Sequence, residues 1–444
     1  MRIVRRTINC CCILTLCNVI FLWGVLTDGT ALKIAGIVLL TVVFVLINFR
    51  PMKQKEFTGK LKTLGGGCEL LVLAAVCAAV QTALYIYILS AKPIEPGLLA
   101  WLGSGAVCLI LLGLLTANGL IRLFFTSGQM TAGVRLSLIA LWWVPIVNLF
   151  VFYRVCRTAC GEYKFRAMKL RRNSGRRARR VCATKYPILL VHGIFFRDWK
   201  FINYWGRIPA ELEENGAVVY YGGQQSSASV ESSAGELHAR ILEIIEKEGC
   251  EKVNIIAHSK GGLDSRYAIS CLGMDRHVAS LTTINTPHRG CRFARRALEG
   301  LPKGVVGGVS RGYDKIFSKL GDGKPDFFAG VSELTDEKCA ELDGMTPNRE
   351  GVLYQSVGSK MRSARSAVVP LKLSYNIVRA SDGENDGLVA VSSMPWGTFT
   401  MLEPVGKRGI SHGDVIDLTR KDIKGFDVCE FYVDMVRGLK ELGL

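Results

Sequence analysis

Residues 252–272 read KVNIIAHSKGGLDSRYAISCL, and their reading decides the fold. Residues 253–257 form a short apolar run rich in β-branched side chains, the signature of a buried parallel strand. Gly261 and Gly262 follow at once, and Leu263, Tyr267, Ala268 and Cys271 then recur with helical spacing. Ser259 sits between strand and helix, flanked by His258 and Lys260. Such a turn lifts the serine oxygen above the sheet edge, at a helix N-terminus that favours developing negative charge. Ala257 and Gly261 are small where a larger side chain would clash. The pattern is G-x-S-x-G with Ala257 in the first position. An ordinary βα turn with a capping serine is the competing reading of this stretch alone.

The rest of the chain is charged very unevenly. Residues 1–184 carry 23 Lys and Arg against 5 acids, whereas residues 185–444 hold 33 of each sign. A folded domain of zero net charge does not present the basic surface that nucleic acid requires, so no nucleic-acid partner is expected. Several of the 15 cysteines lie in apolar runs as small hydrophobes, and no CxxC pair exists to suggest zinc or dithiol chemistry.

The excess positive charge borders five apolar stretches, 8–26, 34–49, 70–89, 98–121 and 136–153. Most approach the roughly 20 residues needed to cross a bilayer, so residues 1–153 read as an all-α membrane region of four to five spans. Arg2, Arg5 and Arg6, the lysines between the second and third stretches, and Arg122 with Arg135 all place their loops in the cytoplasm. The fifth stretch is short and interrupted by Pro145 and Asn148, which suits a re-entrant or interfacial segment as well as a span. Residues 154–184 read as a juxtamembrane linker. Nine basic residues and no acid fall between 164 and 180, a composition suited to anionic lipid. A cell-membrane location with a cytoplasmic C-terminal domain is therefore expected.

Within residues 185–444 strands and helices alternate. Strand-like runs occur at 186–191, 217–221, 253–257, 281–285, 352–357, 375–379 and 398–402, with helical patterns at 209–215 and after 230. This order indicates an α/β domain with a mostly parallel sheet covered on both faces. The Gly-rich residues 289–350 interrupt the pattern and suit a cap or lid. The first strand ends in His192-Gly193, so the N–H of Ile194, with that of Lys260, could line an oxyanion hole.

Six histidines leave few bases to choose from. His258 is next to the serine and should point away from it. His192 and His288 sit in strand-end turns, His238 on a helix, and His277 in a short connection. His412 remains, in the Gly-rich loop GKRGISHGD. Asp386, in SDGENDGLV, follows the 375–379 run and is the favoured acid, with Asp382 and Asp414 as competitors. The order Ser259, Asp386, His412 is one in which serine hydrolases arrange a triad.

Taken in order, YPILLVHG, AHSKGGLDSRYA, TTINTPHRG, VLYQSVGS, NDGLV and SHGD resemble the bacterial triacylglycerol lipases of the α/β-hydrolase superfamily. The resemblance covers residues 185–444 and implies an α/β-hydrolase fold. It implies Ser259 as nucleophile, His412 as base, Asp386 as its orienting acid, and Ile194 and Lys260 as oxyanion donors. The expected activity is hydrolysis of carboxylic esters of lipids through an acyl-enzyme, with no cofactor required. An acyltransferase or thioesterase with the same triad, or a silent scaffold, are the alternatives. Several members hold a structural calcium through an Asp two residues after the catalytic His. Asp414 matches that position, while Leu418, where a further ligand is expected, brings no side-chain oxygen.

Overall fold

The computed structural model describes residues 2–26, 29–51, 57, 59–91, 94–194, 203–226, 228–300, 331–368, 371–403 and 408–444. The chain divides into two compact units, Met1–Arg172 and Asn173–Leu444.

The first unit is helical. Helices α1 (Arg2–Cys17) and α2 (Val19–Val25) meet at Asn18 with a 70° bend. They precede α3 (Thr30–Phe49), α4 (Gly59–Ala91) and α5 (Leu98–Thr126). Among the described helices these last three are long and apolar enough to cross a membrane, and the α1–α2 pair adds a fourth if it is one broken span. Polar side chains inside the bundle are paired. Asn18 and Gln81 exchange amide hydrogen bonds of 2.7 and 2.8 Å, and Arg6 grips Glu69 with bonds of 2.6 and 2.7 Å. Both pairs pin the N-terminal helices against α4, and each partner supplies what an apolar surround would otherwise deny the other.

Residues 136–153 are not one helix. Helix α6 (Ala132–Ala140) stops, a turn occupies 141–146, and α7 (Val147–Arg176) begins. Pro145 lacks the N–H that a continuing helix would need. The basic residues expected in a linker at 154–184 instead continue α7 as far as Arg176. Between Lys164 and Arg172 they are strong helix formers with no Pro or Gly to stop them.

The second unit is built on a six-stranded sheet in the order β2-β1-β3-β4-β5-β6, parallel throughout. The strands are β1 (Ile188–Val191), β2 (Val219–Tyr221), β3 (Val253–His258), β4 (Val278–Ile284), β5 (Leu353–Ser359) and β6 (Thr398–Leu402). Alternation along β1 shows why both faces are covered. Ile188 and Leu190 pack with α8 (Ile208–Glu214) and α14 (Val428–Glu441) through Leu212, Tyr432 and Val436. Leu189 and Val191 pack with α9 (Val230–Glu248) and α10 (Lys260–Cys271) through Leu237, Ile241 and Ala268. Each such side chain is fully buried, contributing about 1.5–3 kcal/mol. The chain leaves β1 toward β2 on one side and reaches β3 on the other. The carboxyl ends of β1 and β3 thus mark a topological switch point, the place where ligands bind in open α/β sheets.

One expected strand is absent. Residues 375–379 lie inside a helix, α13 (Leu371–Asp382). Tyr375 and Val378, one helical turn apart, are buried while Leu373 and Ile377 are exposed, a helical pattern in a short β-branched run. Of the cap expected at 289–350, α11 (Arg292–Gly300) and α12 (Asp336–Met345) are described, and residues 301–330 lie outside the described residues.

Candidate active site

β3 delivers Ser259 at φ 55° and ψ −131°, a conformation that non-glycine residues rarely adopt. The turn is over-determined by its neighbours. Ser259 N–H donates to Ile284 O at 3.0 Å, and the Thr286 hydroxyl donates to Ser259 O at 2.8 Å. A side chain at Gly193 would come within 2.7 Å of Ser259 Cβ, and one at Gly261 within 2.9 Å of Val191 O. Only glycine lets the β1 loop and the start of α10 approach this closely. Ala257 is fully buried in the strand below.

The loop after α13 carries the acid. Asp386 is fully buried, and its Oδ1 accepts the N–H groups of Leu388 at 2.9 Å and Val389 at 2.8 Å. Its Oδ2 accepts the Asn285 amide at 2.7 Å and pairs with His412 Nδ1 at 2.6 Å. A further bond, His412 N–H to Asp386 O at 2.9 Å, ties the two loops together. With Nδ1 held by a carboxylate, Nε2 is the nitrogen left for proton transfer.

His412 stands beside the serine turn. Its ring lies 4.4 Å, centroid to centroid, from the ring of His258, the residue before Ser259. No hydrogen bond joins Ser259 Oγ to His412 among the described residues, a looseness common in sites without substrate. His258, the residue before Ser259, is fully buried against His412 and bonded to the Tyr204 hydroxyl at 2.6 Å. Burial, reinforced by the nearby His412, holds its pKa well below the ordinary histidine value, so it stays neutral.

The competing acids have other work. Asp382 accepts the N–H groups of Arg292 and Phe293 at 3.2 and 3.0 Å and so caps α11. Asp414 accepts Ser411 N–H at 3.0 Å, Ser411 Oγ at 2.7 Å and the Arg408 guanidinium at 3.0 Å. Of the other histidines, His192 is buried with Nδ1 2.9 Å from Gly193 O, and His288 is buried between Thr283, Arg266 and Trp396.

Residues 188–303 match a family model described as "Putative serine esterase (DUF676)". A triacylglycerol lipase of Pseudarthrobacter phenanthrenivorans is 39% identical over 246 residues, which cover 50% of this chain and 76% of the relative. One from Burkholderia plantarii is also 39% identical, covering 50% and 68%. One from Vibrio cholerae is 31% identical, covering 47% and 74%. The chain belongs to the triacylglycerol lipase family. It is a serine carboxylic-ester hydrolase of the α/β-hydrolase type, and about half of its length lies outside these matches.

The positions expected to supply backbone donors in this lipase lie at the ends of β1 and β3. Ile194 follows Gly193 directly, and Lys260 opens α10, where the first N–H groups have no intrahelical partner. The Lys260 side chain turns inward. Its ammonium, almost fully buried, bonds Asp264 at 2.6 Å and Ser233 at 3.1 Å. Burial pushes the Asp264 carboxyl up to about 7 despite the Lys260 charge.

The donor set around Asp414 does not fit calcium. Both carboxylate oxygens already accept N–H or O–H groups, and a cation there would have to displace the Arg408 guanidinium. Among the described residues no three acidic, histidine or cysteine side chains gather as a metal site. Sequence reading missed Asn285 and Tyr204 as supports of the site. Asn285, at φ 47° on the end of β4, was legible only as an unusual polar residue closing an apolar strand. Tyr204 had no local signal, because its role depends on a contact 54 residues away.

Proposed function

We propose that this lipase is a membrane-anchored hydrolase of lipid carboxylic esters in which Ser259, His412 and Asp386 act as a triad. The observation that carries the reading is the buried Asp386–His412 pair, 2.6 Å apart, whose imidazole packs on His258, the residue before a serine held at φ 55°. His412 Nε2 takes the Ser259 proton as Oγ attacks the ester carbonyl carbon. The carbonyl electron pair moves onto oxygen, where the N–H groups of Ile194 and Lys260 receive it. Collapse expels the alcohol, which takes the proton from His412, and an acyl-serine remains. Water then attacks the acyl carbon while His412 removes its proton, and Ser259 leaves with that proton as the fatty acid is released. Asp386 keeps the imidazole in the required tautomer and steadies its transient positive charge.

The names of the relatives support triacylglycerol or similar acyl esters as substrates. The apolar helices support an anchor in the bilayer, and the basic residues 164–180 support a seat against anionic lipid with the hydrolase domain on the cytoplasmic side. The test is hydrolysis of emulsified triacylglycerol by the full chain and by Ser259→Ala. The variant should lose all but about 10³–10⁴-fold over the uncatalysed rate. Near-normal turnover would remove Ser259 from the mechanism.

A further inference from the structure

We propose that residues 132–153 form a re-entrant hairpin that dips into lipid and returns the chain to the side from which it came. The inference rests on the reading of α3, α4 and α5 as bilayer spans. Its first support is length. Helix α6 has nine residues, about 13 Å of rise, and the apolar start of α7 ends at Tyr153, about 10 Å from its beginning. Neither approaches the roughly 30 Å of a hydrocarbon core.

The second support is direction. Glu162, midway along α7, accepts the Ser127 hydroxyl at 2.6 Å and the N–H groups of Gly128 and Gln129 at 3.0 and 3.1 Å. Arg135, in the first turn of α6, donates to Ser127 O at 2.7 Å. Both anchors therefore lie level with the end of α5. From Glu162 backward, Ala159, Val155 and Val151 pack alongside Leu123 and Leu120 of α5, so this half of α7 runs toward the bilayer middle. From Glu162 onward, Tyr163 meets Phe57 in the segment before α4, and Arg171 lies over the same ring. That half runs outward. Arg122 completes the picture by donating to Asn48 O at 2.7 Å, which brings the end of α3 to the same side.

The third support is the surface of the hairpin tip. Trp142, Trp143, Ile146 and Phe150 are 68–71% exposed, a cluster that water would penalise and lipid would accept. Part of the turn's own backbone, its carbonyls above all, is satisfied from within. Leu141, Val144, Val147 and Asn148 N–H groups bond Ser137, Leu141, Pro145 and Val144 carbonyls, and the Asn148 amide bonds Trp142 O at 3.0 Å. Non-helical backbone in lipid requires such internal partners. Behind the tip, Arg154 and Arg157 are exposed about two turns and one turn before Glu162, within reach of headgroups, and the basic run from Lys164 follows. Ala132 and Arg172 thus share one side, that of Lys60, Lys62 and Arg122.

The test uses the full chain in cells, with single cysteines placed at Ala132, Ser174 or Glu95 and each reaction read against the parent chain. A bulky membrane-impermeant maleimide should react with Glu95→Cys in intact cells. Ala132→Cys and Ser174→Cys should both react only after permeabilisation. Opposite behaviour of Ala132→Cys and Ser174→Cys would make 132–153 a true span and overturn the hairpin. Glu95→Cys behaving like Ala132→Cys would instead remove the bilayer spans, and the hairpin with them. Seating in lipid is read separately by quenching of tryptophan fluorescence with brominated acyl chains in proteoliposomes. The double variant Trp142→Phe/Trp143→Phe should lower the quenched fraction, and an unchanged fraction would place the tip in water.

Discussion

The hydroxyl of Tyr204 lies 2.6 Å from Nδ1 of His258 and accepts the N–H of Gly193 at 3.1 Å. One oxygen thus joins the loop that carries Ile194 to the strand that carries Ser259. His258, held neutral by its burial, meets that oxygen through Nδ1. The contact fixes the spacing between the two proposed oxyanion donors. Tyr204→Phe should strand a buried N–H and a buried imidazole nitrogen, at a cost of about 1–3 kcal/mol in folding stability. It should also lower kcat with little change in KM. Thermal unfolding and steady-state kinetics on a soluble ester read both effects, and an unchanged kcat would confine Tyr204 to packing.

Asn285 supports Asp386 from the end of β4, and its amide also donates to Ser359 at 2.7 Å. Asn285→Gly preserves the positive φ while deleting the amide. The expected outcome is a fall in kcat of about tenfold, equivalent to one charge-assisted hydrogen bond. Wild-type turnover in this variant would show that the two backbone donors to Oδ1 hold Asp386 unaided.

The two nearby aspartates should separate cleanly. Asp386→Asn removes the carboxylate facing His412 Nδ1 and should lower kcat by up to about 10⁴-fold. Asp382→Asn weakens only a helix cap, costing about 1 kcal/mol of local stability and leaving turnover near normal. Parallel ester assays decide, and the reverse ranking would move the acid to Asp382.

These aspartates also show how much the sequence disclosed. The β3–Ser259–α10 turn was legible because strand, serine and paired glycines are contiguous. The loops of Asp386 and His412 were legible from their order and composition. The element before Asp386 was not, since a five-residue β-branched run inside 371–382 fits a strand or one face of a helix equally well. The burial of Tyr375 and Val378, one helical turn apart, settled it. The neighbours of His258 were hidden for a related reason. Strand alternation gives its side, but the His412 loop that folds over that side comes 154 positions later and leaves no local trace.

Asp264 predicts a pH dependence of stability. Its folded pKa, about 7, lies above the ordinary aspartate value of 3.8 because burial outweighs the Lys260 charge. The folded chain therefore binds a proton more tightly than the unfolded chain. The resulting stabilisation is fully present below pH 3.8 and is lost as pH rises toward 7. Relative to Asp264→Asn, the parent should lose stability across that window, with a slope of at most about 1.4 kcal/mol per pH unit. Urea unfolding of both chains at pH 5 and pH 8 checks the sign. A parent that gains on the variant between those two values would mean that the ion pair with Lys260 prevails.

The central claim is that Ser259 is the nucleophile and that the Asp386–His412 pair activates it. The most direct measurement is fluorophosphonate labelling of the full chain, followed by mass spectrometry of the peptide that carries the adduct. The account predicts a single adduct on Ser259, absent from Ser259→Ala and slowed at least about 10³-fold in His412→Ala. An adduct on another residue, or undiminished labelling of His412→Ala, would contradict it.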